Sequence, residues 1–65
     1  MNEKIRDEYE KSLAKRDEIR QELKNLEKQS PQDSYTITIT RDRLAYWEGR
    51  CEGLKFALDT LEQRS

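Results

Sequence analysis

The sequence predicts an all-α fold, an antiparallel hairpin of two long helices joined by a short extended, β-like linker and pairing into a four-helix bundle. Three observations carry that prediction. Apolar residues recur at spacings of three and four in two separate stretches, a proline interrupts them once, and charged residues make up 42% of the 65 positions. Opposite charges are interspersed and nearly cancel, at 13 basic against 14 acidic. That balance suits solvated helix faces flanking a narrow apolar stripe.

The first helix is expected over about residues 2–29, a stretch with neither glycine nor proline. Ile5, Tyr9, Leu13, Ile19, Leu23 and Leu26 form its apolar stripe. Asn2 is a candidate N-cap, and Glu3 lies where the helix dipole favours an anion. Ser30-Pro31 ends the helix, because the residue before a proline is pushed out of the α region. Ser12 and Arg16 interrupt the stripe in its middle. Arg16 either lays its stem along the core with its head in water, or meets a carboxylate across an interface.

Pro31-Gln32-Asp33-Ser34 reads as a turn, and residues 30–39 as a linker. Tyr35-Thr36-Ile37-Thr38-Ile39-Thr40 alternates apolar and polar residues with a period of two, all of them β-favouring. Two readings of this segment stand: a tether leaning on the helices, or a strand that pairs with a partner's edge. Tyr35, Ile37 and Ile39, together with Arg16 and Arg20, are therefore candidate partner-binding residues.

The second helix is expected over about residues 40–63. Thr40 suits its N-cap, and Ile39 and Leu44 the two positions of a hydrophobic staple. Leu44, Trp47, Cys51, Leu54, Leu58 and Leu61 repeat at three and four, an unbroken heptad series. Ala45, Gly49, Gly53 and Ala57 lie four apart in a row of small side chains, with Tyr46 and Phe56 beside it. Two helical glycines each cost about 1 kcal/mol relative to alanine. Close approach of another helix explains them better than a bend. Both sets are expected at an oligomer interface, and Glu48, Glu52, Lys55, Asp59 and Glu62 form the remaining polar face.

A chain this short buries little core alone, so self-association is the expected stabilising device. No histidine is present, which removes the commonest general base and metal ligand. Cys51, the single cysteine, reads as a small buried hydrophobe with no base to activate it. Glu48 and Glu52 alone are too few for a divalent cation. No catalytic, cofactor-binding or metal-ligating residue is therefore expected, and no enzyme. The N-terminus carries no apolar signal segment, and no run nears the ~20 residues needed to span a bilayer. With one cysteine, a reducing, cytoplasmic setting is expected.

For nucleic acid, Arg16, Arg20 and Lys24 together with Arg41, Arg43 and Arg50 are the available cations. Asp17, Glu18, Glu22 and Asp42 are interleaved with them, so no stripe of one sign forms. The expected function is a non-enzymatic protein-binding module, an adaptor, regulator or inhibitor acting as a homo-oligomer. The alternative is an RNA- or DNA-binding hairpin dimer.

The run Tyr46-Trp47-Glu48-Gly49-Arg50-Cys51-Glu52-Gly53-Leu54, continuing through Phe56, Ala57 and Leu58 to Glu62, resembles the C-terminal helix of small uncharacterised α-helical-hairpin proteins of bacteria and their phages. The resemblance covers under a third of the chain. It implies a small interaction protein of mobile-element, viral or bacterial origin, and it lends no catalytic residue.

Overall fold

The computed structural model describes residues 2–64, which form two helices, α1 (Asn2–Lys28) and α2 (Ser34–Arg64). They pack side by side along their length and run antiparallel, giving a rod of 53 × 14 × 13 Å. The radius of gyration is 15.1 Å, against about 11 Å for a compact domain of this length. The helical hairpin expected from the sequence is what the chain adopts. No helix among the described residues is long and apolar enough to cross a membrane.

α1 follows its sequence signals closely. Glu3 lies in its first turn and Lys28 in its last, each complementing the helix dipole. The capping side chain expected of Asn2 lies outside the described residues. The helix stops at Lys28, slightly before the proline. The Gln29 amide closes a tight turn on the Leu26 carbonyl at 3.3 Å, and Gln32 Nε2 donates to the Glu27 carbonyl at 2.9 Å. Those bonds take up carbonyls that a helix end leaves open.

The segment 34–40 departs from expectation: it is the first two turns of α2, and among the described residues there is no strand. The linker shrinks from 30–39 to residues 29–33, and neither the Thr40 cap nor the Ile39–Leu44 staple exists. The cap is Asp33. Its carbonyl accepts the first helical bond, from the Ile37 amide at 3.0 Å. Its carboxylate accepts from the Thr36 amide at 3.1 Å and the Thr36 hydroxyl at 2.7 Å.

Threonine is a poor helix former partly because its hydroxyl competes for backbone groups. Here the hydroxyls are occupied without breaking the helix: Thr38 donates to the Ser34 carbonyl at 2.9 Å and Thr40 to the Thr36 carbonyl at 2.7 Å. The decisive term is phase. Ile37 and Thr40 lie seven residues before Leu44 and Trp47, so in a helix they extend the heptad series by two positions. Both are buried against α1. In an extended chain that burial would be lost.

The two hydrogen bonds from Thr36 hold the Asp33 carboxyl below its ordinary value of 3.8. The stability it contributes is complete above that ordinary value and is lost as pH falls through the lower folded one. Asp33→Ala should lower the melting temperature at neutral pH, and Asp33→Asn should restore most of the loss. The wild type and Asp33→Ala should converge on acidification. Thermal melts followed by circular dichroism across the acid range test this; a gap that stays constant to the lowest pH would remove the carboxylate from the account.

The seam between the helices holds the core. Ile19, Ile37, Cys51 and Leu58 are its buried apolar residues, and Ser12 and Thr40 its buried polar ones. Ion pairs edge it on both sides: Arg6–Glu62, Arg20–Glu48 and Arg41–Glu27 at 3.0–3.1 Å, Arg43–Glu22 and Arg50–Glu8 at 3.4 Å. All are well exposed, where such pairs are individually worth about 0–1 kcal/mol.

Candidate functional site

α2 carries two stripes. Its inner stripe, which meets α1, runs through Ile37, Thr40, Leu44, Trp47, Cys51, Leu54, Leu58 and Leu61. The six heptad residues expected at an oligomer interface thus lie at the contact between the chain's own helices. Cys51 and Leu58 are buried there, and the other four are partly covered. Cys51 is a free thiol.

The outer stripe is Tyr35, Ile39, Asp42, Tyr46, Gly49, Gly53, Phe56 and Thr60, again alternating four and three. Tyr35 is 76% exposed, Tyr46 59% and Phe56 74%, and Ile39 is also exposed. An exposed aromatic ring is ordinary singly; three on one helix face are not. Asp42 is the only charge in the stripe. The corresponding outer positions of α1 are Lys4, Asp7, Lys11, Ala14, Glu18, Gln21, Asn25 and Lys28, the usual solvated surface. α2 is therefore apolar on two sides and α1 on one.

The row Ala45, Gly49, Gly53 and Ala57 lies on or beside this outer face. Ala45, Gly49 and Gly53 are exposed and Ala57 is partly covered. A methyl group built on either glycine meets nothing within 4 Å. Within the chain the glycines thus make no close helix contact, and the second helix expected at this row has to come from outside the hairpin. At concentrations low enough to keep the hairpin alone, Gly53→Ala should stabilise it by about 1 kcal/mol through helix propensity. Urea denaturation of dilute protein reads the sign directly. Tyr46 stands edge-on to Trp47, with ring centroids 5.2 Å apart at 88°, which ties the outer face to the inner stripe.

The candidate partner-binding residues separate. Ile37 is buried in the seam, whereas Tyr35 and Ile39 look outward, so the three do not share a face. Arg16 is partly buried beside the seam, and its Nε and Nη2 donate to Asp17 at 3.1 and 2.9 Å. That bond raises its pKa further above the ordinary arginine value. Arg20 reaches Glu48 at 3.1 Å. Glu48 and Glu62 belong to the edge of the seam, through Arg20 and Arg6, and not to a freely solvated face.

Two shallow clefts follow the seam edge. One lies among Tyr9, Arg16, Arg20, Glu48, Glu52 and Lys55. The other lies among Arg6, Tyr9, Glu10, Lys55, Asp59 and Glu62. Both mix cations with carboxylates. Among the described residues no three His, Cys, Asp or Glu side chains converge as a metal site would require, so Glu48 and Glu52 gain no third carboxylate.

Sequence reasoning passed over Asp33 as a cap, Ile37 and Thr40 as core, and the second heptad. For the last two the signal was present as sevenfold spacing. For Asp33 it was masked by the strand-like run that follows.

Compared with protein families, with curated proteins and with solved structures, the chain finds no match.

Proposed function

We propose that this chain is a non-enzymatic protein-binding module, an adaptor, regulator or inhibitor that works as an oligomer through the outer face of α2. One observation carries the reading: Tyr35, Tyr46 and Phe56 stand exposed along a face with a single charge. Aromatic residues are enriched at protein interfaces and carry much of their energy. The arginines support a protein partner over nucleic acid. Arg16, Arg20, Arg41, Arg43 and Arg50 each face a carboxylate of this chain, and a phosphate would have to displace it. The lone buried thiol of Cys51 accords with a reducing, cytoplasmic setting.

The test is capture from an extract of the host by immobilised full-length chain, wild type against a Tyr46→Asp/Phe56→Asp variant. A protein, a second copy of this chain included, that is retained by the wild type, released by the variant and held on raising salt from about 50 to 200 mM is the expected result. Retention of nucleic acid that washes off over that range would replace this reading with the nucleic-acid one.

A further inference from the structure

We infer that the outer face of α2 is covered by a second copy of this chain, packed antiparallel about a two-fold axis that crosses α2 at the level of Cys51. The inference rests on the binding-module reading and names its first partner.

Surface area is the first argument. A folded monomer of 7.8 kDa exposes about 4,400 Å². This hairpin exposes 5147 Å². The excess, roughly 750 Å², is close to the ~800 Å² that each partner contributes to an interface of standard size. The rod thus exposes more than a compact chain of its mass would, by about the area that one stable interface hides.

The arrangement of residues about Cys51 says which partner fits. Gly49 and Gly53 lie two residues to either side, Tyr46 and Phe56 five, Ala45 and Ala57 six, Asp42 and Thr60 nine. Each pair matches in size or chemistry. An antiparallel two-fold brings each residue to the level of its counterpart in the other copy; the two face each other along the middle of the contact, while each flank lies against the same flank of the second copy. Gly49 then meets Gly53 of the second copy, twice, at the closest approach of the two backbones. On either side of this waist Tyr46 and the Phe56 of the second copy stand at one level on opposite flanks, each ring over the small Ala57 or Ala45 of the other copy. Beyond them Asp42 meets Thr60, a carboxylate facing a hydroxyl. The open space around both glycines, idle within one hairpin, becomes the room a second helix occupies.

The flanks also have a consequence. In this geometry each flank meets its own kind, so Arg50 faces Arg50 and Glu52 faces Glu52 of the second copy. Arg50 already holds Glu8 at 3.4 Å, which offsets its charge. Glu52 is left as the repulsive contact. Association should therefore strengthen with added salt, and Glu52→Gln should tighten it by about twofold.

Sedimentation equilibrium of the full chain tests the proposal. The wild type should sediment as a dimer that dissociates on dilution, with a melting temperature that rises with concentration. Gly53→Leu should keep the helical circular dichroism, since nothing within the chain lies in its way, and weaken the dimer by about tenfold or more. Geometry is read by disulfide trapping in a Cys51→Ala background. The double variant Asp42→Cys/Thr60→Cys should cross-link two chains, while Asp42→Cys alone should not. A dimer indifferent to Gly53→Leu, or one that the single variant cross-links, overturns the proposed packing. A chain that stays monomeric at every concentration overturns the second copy as occupant. Capture of another protein that still depends on Tyr46 and Phe56 would then leave the binding-module reading standing, so the two fail separately.

Discussion

Ile19→Ala should destabilise the chain by about 2–5 kcal/mol, the range for removing a buried aliphatic side chain. Among the described residues Ile19 is the one large side chain with no exposed surface at all, and it lies near the middle of the seam. Its neighbours belong to two long helices held along their whole length, so little can collapse into the space it leaves. Small domains rarely hold more than about 3–5 kcal/mol in a single core. The variant should therefore be largely unfolded when dilute. Ile5→Ala, at a partly exposed position near the open end, should cost much less. Urea titrations of both, followed by helical circular dichroism, decide the matter. Equal losses would mean that the seam has no centre and that burial is not what holds the hairpin.

Ser12→Ala should move stability the other way, upward by about 1–3 kcal/mol. Ser12 is 1% exposed, and its hydroxyl has no hydrogen-bond partner among the described residues. A buried hydroxyl without a partner costs its desolvation; alanine has nearly the same shape, no hydroxyl and a higher helix propensity. Thr40 is the internal control. It is equally buried, but its hydroxyl is bound to the Thr36 carbonyl at 2.7 Å. Thr40→Ala removes a satisfied group together with a packed methyl and should destabilise. Opposite signs for the two variants are the expected result. A loss of stability in Ser12→Ala would show that the hydroxyl is engaged in solution.

Most of the fold is legible in the sequence. α1, the body of α2, its heptad stripe and the polar break at Ser12 and Arg16 all follow from spacing. Residues 34–40 were not, because two signals of different range compete there. Tyr-Thr-Ile-Thr-Ile-Thr is strand-like by every local measure, and each β-branched residue costs a few tenths of a kcal/mol in a helix. Against this stand the Asp33 cap, three occupied threonine hydroxyls and the burial of Ile37 and Thr40. Tertiary phase outweighs local preference, and phase is visible only when the sevenfold spacing is carried back from Leu44 and Trp47.

The candidate site was half legible. The glycine row and its aromatic neighbours are plain in the sequence. A helix with two apolar stripes does not say which one its own partner helix covers. Here α1 takes the leucine stripe, which leaves the glycine and tyrosine stripe outward.

The ion pairs along the seam add little to the depth of the folded state, yet they restrict which alignment it adopts. A leucine seam with a seven-residue repeat would be nearly as well filled if α2 slid along α1 by one repeat. Slid one way, Arg6 would face Lys55 and Arg20 would face Arg41. Slid the other way, Arg20 would face Lys55 and Glu27 would face Glu48. Either slip exchanges the attractions among Arg6–Glu62, Arg20–Glu48 and Arg41–Glu27 for repulsions. The charges along this edge thus act as a ruler between two surfaces with the same repeat, penalising both one-repeat slips and holding the outward aromatics at fixed heights along the rod.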